Sequence, residues 1–103
     1  MAGSHWVAVY MAKVPEFFDS LGRSPSFYYK EFEYFLIKHG PNYIYNSQRI
    51  QNYGSEVCGQ YCLYYVLQRS MGYFMREIIQ QFSSTRLEYN DTRIQEYYIG
   101  LGD

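Results

Sequence analysis

The sequence predicts one α+β domain in which a small, mainly antiparallel sheet packs with helices. Hydrophobic residues make up 48% of its 103 residues and charged residues 18%, a globular balance that disordered chains lack. Segments rich in β-branched and aromatic residues lie in the N-terminal half, and segments with helical periodicity follow them. A chain of this length has room for one domain, which we expect to cover residues 1–103.

Three strands are expected, and the first two are expected to pair as a hairpin. Residues 5–11 are β-branched and aromatic, and residues 16–19 form a second short strand after a break that ends at Pro15. Residues 43–45 are the third candidate. Because a short connection joins antiparallel neighbours, the hairpin gives the expected sheet its mainly antiparallel character.

Four helices are expected, because apolar residues recur with helical spacing between capping and stop residues. The first begins at Ser24-Pro25, with serine as the N-cap and proline at the first helical position. The predicted ranges are 24–39, 58–69, 73–82 and 90–100. The second range puts Cys58 at the N-terminus of a helix.

Charge and hydropathy exclude several classes of function. Nine Lys and Arg against ten Asp and Glu give a net charge of −1, without the basic excess of a nucleic-acid-binding groove. No apolar run approaches the ~20 residues of a membrane-spanning helix, so no membrane partner is expected. Two cysteines are too few for a disulfide framework, which is typical of an intracellular, reducing compartment.

Four side chains follow one another in an order that suits thiol chemistry: His5, Asp19, Gln51 and Cys58. A thiol at a helix N-terminus is favoured as the nucleophilic thiolate, and Gly59 after it leaves room for a substrate. An imidazole can hold the thiol proton and deliver it to a leaving amine, and a carboxylate can orient that imidazole. A side-chain amide upstream of the cysteine is a candidate donor to an oxyanion.

Each of these signals has a structural alternative. A lone buried cysteine is more often a small core residue, a strand histidine an edge residue, and an aspartate before Ser-Leu-Gly a turn residue. Cys58 and Cys62 are spaced C-x3-C on one helix, which is not a zinc-finger spacing, so no metal and no cofactor are expected. The residues by themselves leave a cysteine hydrolase as one interpretation among these.

The combination resembles a known family. His5-Trp6, then Phe-Asp-Ser-Leu-Gly at 18–22, then Gln-Asn-Tyr-Gly-Ser-Glu-Val-Cys-Gly-Gln-Tyr-Cys at 51–62 resemble the adenovirus endopeptidase (adenain) family. Relatives of that family are the proteases of Maverick/Polinton transposons and the SUMO proteases, which share the chain order His, Asp, Gln, Cys. The resemblance implies a papain-type fold and a thiol endopeptidase of viral or transposon origin that acts on a polypeptide.

The resemblance also implies a role for each site residue. Cys58 would be the nucleophile, His5 the base and acid, Asp19 the residue that orients His5, and Gln51 an oxyanion donor together with the Cys58 N–H. Trp6 would pack beside the catalytic site, where it and Gly59 would contact substrate.

Two further expectations follow from comparing the chain with the family. The interval of seven residues from Gln51 to Cys58 favours the adenain and transposon branch; the alternatives are a ubiquitin- or SUMO-type isopeptidase and an inactive module that binds polypeptides. Family members carry a further segment before the histidine, so the fold is expected to be incomplete at its N-terminus. With 21% aromatic residues, uncovered rings would then favour self-association.

Overall fold

Three short strands and five helices, an α+β arrangement, make up the part of the chain that the computed structural model describes, residues 5–40 and 42–102. In chain order they are β1 (Ala8–Tyr10), β2 (Glu16–Phe18), α1 (Pro25–Tyr28), α2 (Lys30–Lys38), β3 (Ile44–Tyr45), α3 (Cys58–Ser70), α4 (Met75–Gln80) and α5 (Leu87–Gly102). The predicted α+β class is therefore confirmed.

The sheet has the order β1-β2-β3 and is mixed. The predicted hairpin is present, because β1 and β2 pair antiparallel with Ala8 opposite Phe18. β3 pairs parallel to β2, with Phe17 opposite Tyr45. The prediction of a mainly antiparallel sheet is therefore wrong. The connection from β2 to β3 passes through α1 and α2, and such a crossover brings the chain back in the same direction.

The first and last predicted helices differ most from the structure, whereas the other two differ by at most two residues at an end. The helix expected over residues 24–39 is divided at Tyr29, whose φ of −147° and ψ of 138° are extended. Tyr28, the last residue of α1, bonds Asp19, and the break at the next residue lets α2 run in its own direction. The last helix begins at Leu87, so Asn90 lies inside it and does not cap it.

The core lies between the sheet and helices α3, α4 and α5. Phe18 of β2 stacks on Tyr65 of α3 with ring centroids 4.5 Å apart, and Ile78 and Ile94 close the core from α4 and α5. These four side chains are at most 2% exposed, and burying each stabilises the fold by about 1.5–3 kcal/mol. Tyr65 therefore anchors α3, the helix that begins with Cys58, to β2.

A buried ion pair between Glu16 and Arg69 also connects β2 with α3. Glu16 of β2 accepts hydrogen bonds from Nε and Nη2 of Arg69, both at 2.9 Å, and one from the hydroxyl of Tyr65. Burial, and then the bond to Glu16, raise the pKa of Tyr65. The pair ties the start of β2 to the last turn of α3.

Gly22 allows a close approach next to the site. Its φ is +76°, and a Cβ there would lie 2.8 Å from the backbone nitrogen of Arg49. The turn after β2 therefore packs directly on the segment that leads to Gln51.

Large aromatic side chains remain on the surface. Examples are Trp6, Phe27, Tyr29 and Tyr34, each more than half exposed. Self-association through such a surface stays a prediction.

Candidate active site

Cys58 is the first residue of α3. Val57 is the N-cap residue of this helix and makes no side-chain hydrogen bond to it. The Cys58 Sγ accepts a hydrogen bond from the backbone N–H of Trp6 at 3.4 Å, and the residue is 5% exposed. The thiol thus lies against the residue that follows His5.

His5 and Asp19 form an ion-pair contact, with Nε2 and Oδ1 2.6 Å apart. Asp19 directly follows β2, and the pairing of β1 with β2 brings the segment before β1 alongside it. Asp19 is completely buried, whereas the His5 side chain is 16% exposed. Because a carboxylate only accepts hydrogen bonds, Nε2 is the donor in this contact, and Nδ1 is the ring nitrogen that Asp19 does not engage.

Three more donors surround the Asp19 carboxylate. Backbone N–H groups of Leu21 and Arg23 donate to it at 3.0 and 3.2 Å, and the Tyr28 hydroxyl donates at 2.5 Å. Burial, and then the bond to Asp19, raise the pKa of Tyr28. The Tyr28 ring also stacks on His5 at 5.6 Å between centroids. Sequence reasoning missed Tyr28, because no local pattern predicts a contact with Asp19.

Gln51 lies buried on the loop that leads to Cys58, and both ends of its carboxamide have partners. Its Oε1 accepts from the Ser20 hydroxyl at 2.5 Å. Its Nε2 donates to the carbonyl and hydroxyl oxygens of Ser55, at 3.0 and 3.1 Å. The amide therefore points along the 51–58 loop, and its hydrogen bonds among the described residues go to Ser20 and Ser55.

The backbone at Gln51 is held from two sides. The carbonyl of Ser20 accepts the N–H groups of Ile50 and Gln51, at 2.9 and 3.1 Å. The Ile50 carbonyl accepts from Nδ2 of Asn90, a fully buried residue of α5, at 3.0 Å. The loop is thereby fixed between the turn that carries Asp19 and the last helix.

A surface groove of about 350 Å³ lies beside the first turns of α3. It is lined by Trp6, Gly59, Gln60, Leu63 and Tyr98. A Cβ on Gly59 would lie 3.8 Å from the Trp6 ring. The structure thus puts the two predicted substrate-binding residues, Trp6 and Gly59, on the same groove.

Cys62 lies one turn after Cys58 and is buried in the core. Burial, followed by the charges of Cys58 and Asp19, raises the pKa of the Cys62 thiol to about 12. Cys62 is therefore protonated at neutral pH and is a poor nucleophile. Over residues 5–40 and 42–102, no group of three or more His, Cys, Asp or Glu could hold a metal ion.

No helix in the described part of the chain is long and apolar enough to cross a membrane.

No protein-family model matches the chain, and no curated protein or solved structure matches it. The functional assignment therefore rests on the side chains around Cys58.

Proposed function

We propose that this chain is a cysteine endopeptidase that cleaves peptide bonds through an acyl-enzyme on Cys58. The observation that supports this most is the 2.6 Å contact of His5 Nε2 with the buried Asp19, while the backbone N–H of the next residue, Trp6, donates to the Cys58 thiol at a helix N-terminus. A carboxylate that holds one nitrogen of an imidazole leaves the other nitrogen free to act as a base.

The first half of the reaction forms a thioester. Nδ1 of His5 takes the proton of Cys58, and the buried charge of Asp19 stabilises the imidazolium. The sulfur attacks the carbonyl carbon of the substrate and forms a tetrahedral oxyanion. When the oxyanion collapses, the C–N bond breaks and the leaving amine takes the proton from Nδ1. The acyl group remains on Cys58.

The second half releases the product. A water molecule gives a proton to His5 and attacks the thioester carbonyl, and the Cys58 sulfur leaves and regains its proton. In both halves the oxyanion would accept from the Cys58 backbone N–H and from one N–H of Gln51 Nε2. That donor must turn from Ser55, which accepts from Nε2 in this arrangement.

The groove at Trp6 and Gly59 is where a polypeptide would bind. Its aromatic wall and its glycine floor fit an extended chain that approaches Cys58 closely. A small residue beside the scissile bond would fit best, because even a Cβ added at Gly59 would lie 3.8 Å from the Trp6 ring.

Alkylation with iodoacetamide at neutral pH tests the thiol chemistry, with peptide mapping to resolve the two cysteines. We expect selective modification of Cys58, slowed in His5→Ala, while Cys62 serves as the internal control. Equal and slow labelling of both cysteines, unchanged in His5→Ala, would contradict the proposal.

The substrate class needs a separate comparison. An endopeptidase should cleave internally quenched peptides with internal glycines. If the chain instead cleaves only after the terminal Gly-Gly of a ubiquitin-like protein, the isopeptidase alternative is right.

Two observations favour a second candidate, a non-catalytic module that binds polypeptides. Cys58 is only 5% exposed, and Ser55 engages the Gln51 amide. Such a module would bind peptides with equal affinity in wild type and Cys58→Ser and would cleave none of them.

A further inference from the structure

We infer that Ser20 is a positioning residue for acyl transfer, because its hydroxyl fixes the Gln51 carboxamide with the amide nitrogen on the side of the reacting loop. The inference rests on the proposed function, in which Gln51 donates to the oxyanion. Ser20 itself contacts neither the thiol nor the imidazole in the hydrogen bonds of the described residues.

Ser20 holds Gln51 by both its backbone and its side chain. Its hydroxyl donates to Oε1 at 2.5 Å, and its carbonyl accepts the Gln51 N–H at 3.1 Å. Ser20 is completely buried and Gln51 is 2% exposed, so water does not compete easily for these bonds.

The orientation of the carboxamide decides whether it can serve an oxyanion. Its nitrogen end donates hydrogen bonds, whereas its oxygen end would repel a negative charge. Before reaction, the Ser55 carbonyl, which only accepts, holds the nitrogen end. The Ser55 carbonyl thus sets which end carries the nitrogen, and the bond from Ser20 holds the Oε1 end in place while an N–H turns to the oxyanion.

Asp19 and Ser20 are consecutive, so one dipeptide serves both halves of the site. Asp19 contacts His5, and Ser20 contacts Gln51. Buried Asn46 fixes this dipeptide, accepting from the Asp19 N–H at 2.9 Å and donating to the Asp19 carbonyl at 2.5 Å. The positions of the base, His5, and of the oxyanion donor, Gln51, relative to each other are therefore set by one short segment of backbone.

The experiment compares turnover of p-nitrophenyl acetate with alkylation of Cys58 by iodoacetamide in the full chain. Ester turnover passes through an oxyanion, whereas alkylation does not. We expect Ser20→Ala to lower kcat by about tenfold or more, with little change in KM and with an unchanged alkylation rate. Gln51→Ala should lose at least as much turnover, and the double variant should be no worse than Gln51→Ala.

Two further variants guard against a trivial loss of folding. Ser20→Thr keeps the hydroxyl and should keep turnover. Ser20→Cys keeps a side chain of similar shape but offers a weaker hydrogen-bond donor. It should lose turnover as Ser20→Ala does, and it replaces Ser20→Ala in the experiment if the alanine variant does not fold.

The role of Ser20, but not the proposed function, would be overturned by a folded Ser20→Ala variant with wild-type kcat. Independent effects of the Ser20 and Gln51 changes would overturn it in the same way. Wild-type turnover no faster than that of His5→Ala would overturn the proposed function and this inference together.

Discussion

His5 Nε2 lies 2.6 Å from Asp19 Oδ1, although the two residues are 14 positions apart in the chain. The carboxylate is completely buried and also accepts from two backbone N–H groups and from Tyr28. Four donors around one buried carboxylate make it a fixed acceptor that sets both the tautomer and the orientation of the imidazole.

The first prediction concerns Asp19→Asn. Each oxygen of the Asp19 carboxylate accepts from two donors, and the asparagine amide would put an NH₂ group in place of one of these oxygens. We therefore expect the free energy of unfolding to fall by about 2–4 kcal/mol. Turnover should fall by about 10²- to 10⁴-fold, because Nε2 loses its acceptor and Nδ1 is no longer held as the base. Urea unfolding and ester hydrolysis measure the two effects.

Tyr28→Phe is the matched control for that change. It removes one donor to Asp19 but keeps the carboxylate beside His5. The free energy of unfolding should therefore fall by only about 1–2 kcal/mol relative to wild type, and turnover should fall by less than in Asp19→Asn. Equal losses of turnover in both variants would mean that the damage is to the fold and not to the His5 contact.

The second prediction concerns the ion pair of Glu16 with Arg69. Arg69→Met leaves a buried carboxylate without its cation, which should lower the free energy of unfolding by about 3–5 kcal/mol. Adding Glu16→Gln should restore part of that loss. Arg76→Met, at an exposed position, is the control and should change stability by less than about 0.5 kcal/mol. Additive effects in the double-mutant cycle would count against the pair.

The third prediction is a loss of stability at alkaline pH. Burial raises the pKa of Cys62 from 9.0 to about 12, so between these values the native thiol keeps a proton that the unfolded chain has lost. The contribution of this thiol to the free energy of unfolding is therefore fully present below about pH 9. It falls as the pH rises towards 12, by about 1 kcal/mol per pH unit. Buried Tyr61 and Tyr65 shift in the same direction and add to the loss.

Urea unfolding between about pH 8 and pH 11 measures this dependence. Cys62→Ala should show a shallower decline between about pH 9 and 10, below the range in which Tyr61 and Tyr65 mainly titrate in the unfolded chain. A slope unchanged by Cys62→Ala would show that the thiol does not contribute.

The fourth prediction separates the groove from the fold. Gly59→Ala adds a Cβ at 3.8 Å from Trp6, an ordinary contact, and alanine favours a helix by up to about 1 kcal/mol over glycine. We therefore expect unchanged or higher stability together with a higher KM for peptides. Gly100→Ala, in a helix with open space around its Cβ, is the control and should leave KM unchanged.

Local signals in the sequence predicted the parts of the fold that depend on neighbours in the chain. The composition of residues 5–11 and the break before Glu16 predicted the hairpin, and the hairpin brings His5 to Asp19. The sequence also predicted that a helix begins at Cys58, and α3 begins at that residue.

Long-range contacts explain what the sequence could not reveal. The break at Tyr29 accompanies the bond of Tyr28 to Asp19, and the bond of Ser20 to Gln51 joins residues 31 positions apart. α5 begins before Asn90, whose side chain bonds Ser83 and Ile50 and does not cap the helix.

The central claim is that Cys58 is a nucleophile activated by His5, and detection of the acyl-enzyme tests it most directly. The chain is incubated with p-nitrophenyl acetate, quenched in acid and mapped by mass spectrometry. We predict an acetyl thioester on Cys58 in the wild type, much less in His5→Ala, and none on Cys62, whose pKa burial raises to about 12. Acetylation of Cys58 at the same rate in wild type, His5→Ala and the urea-unfolded chain would contradict the account.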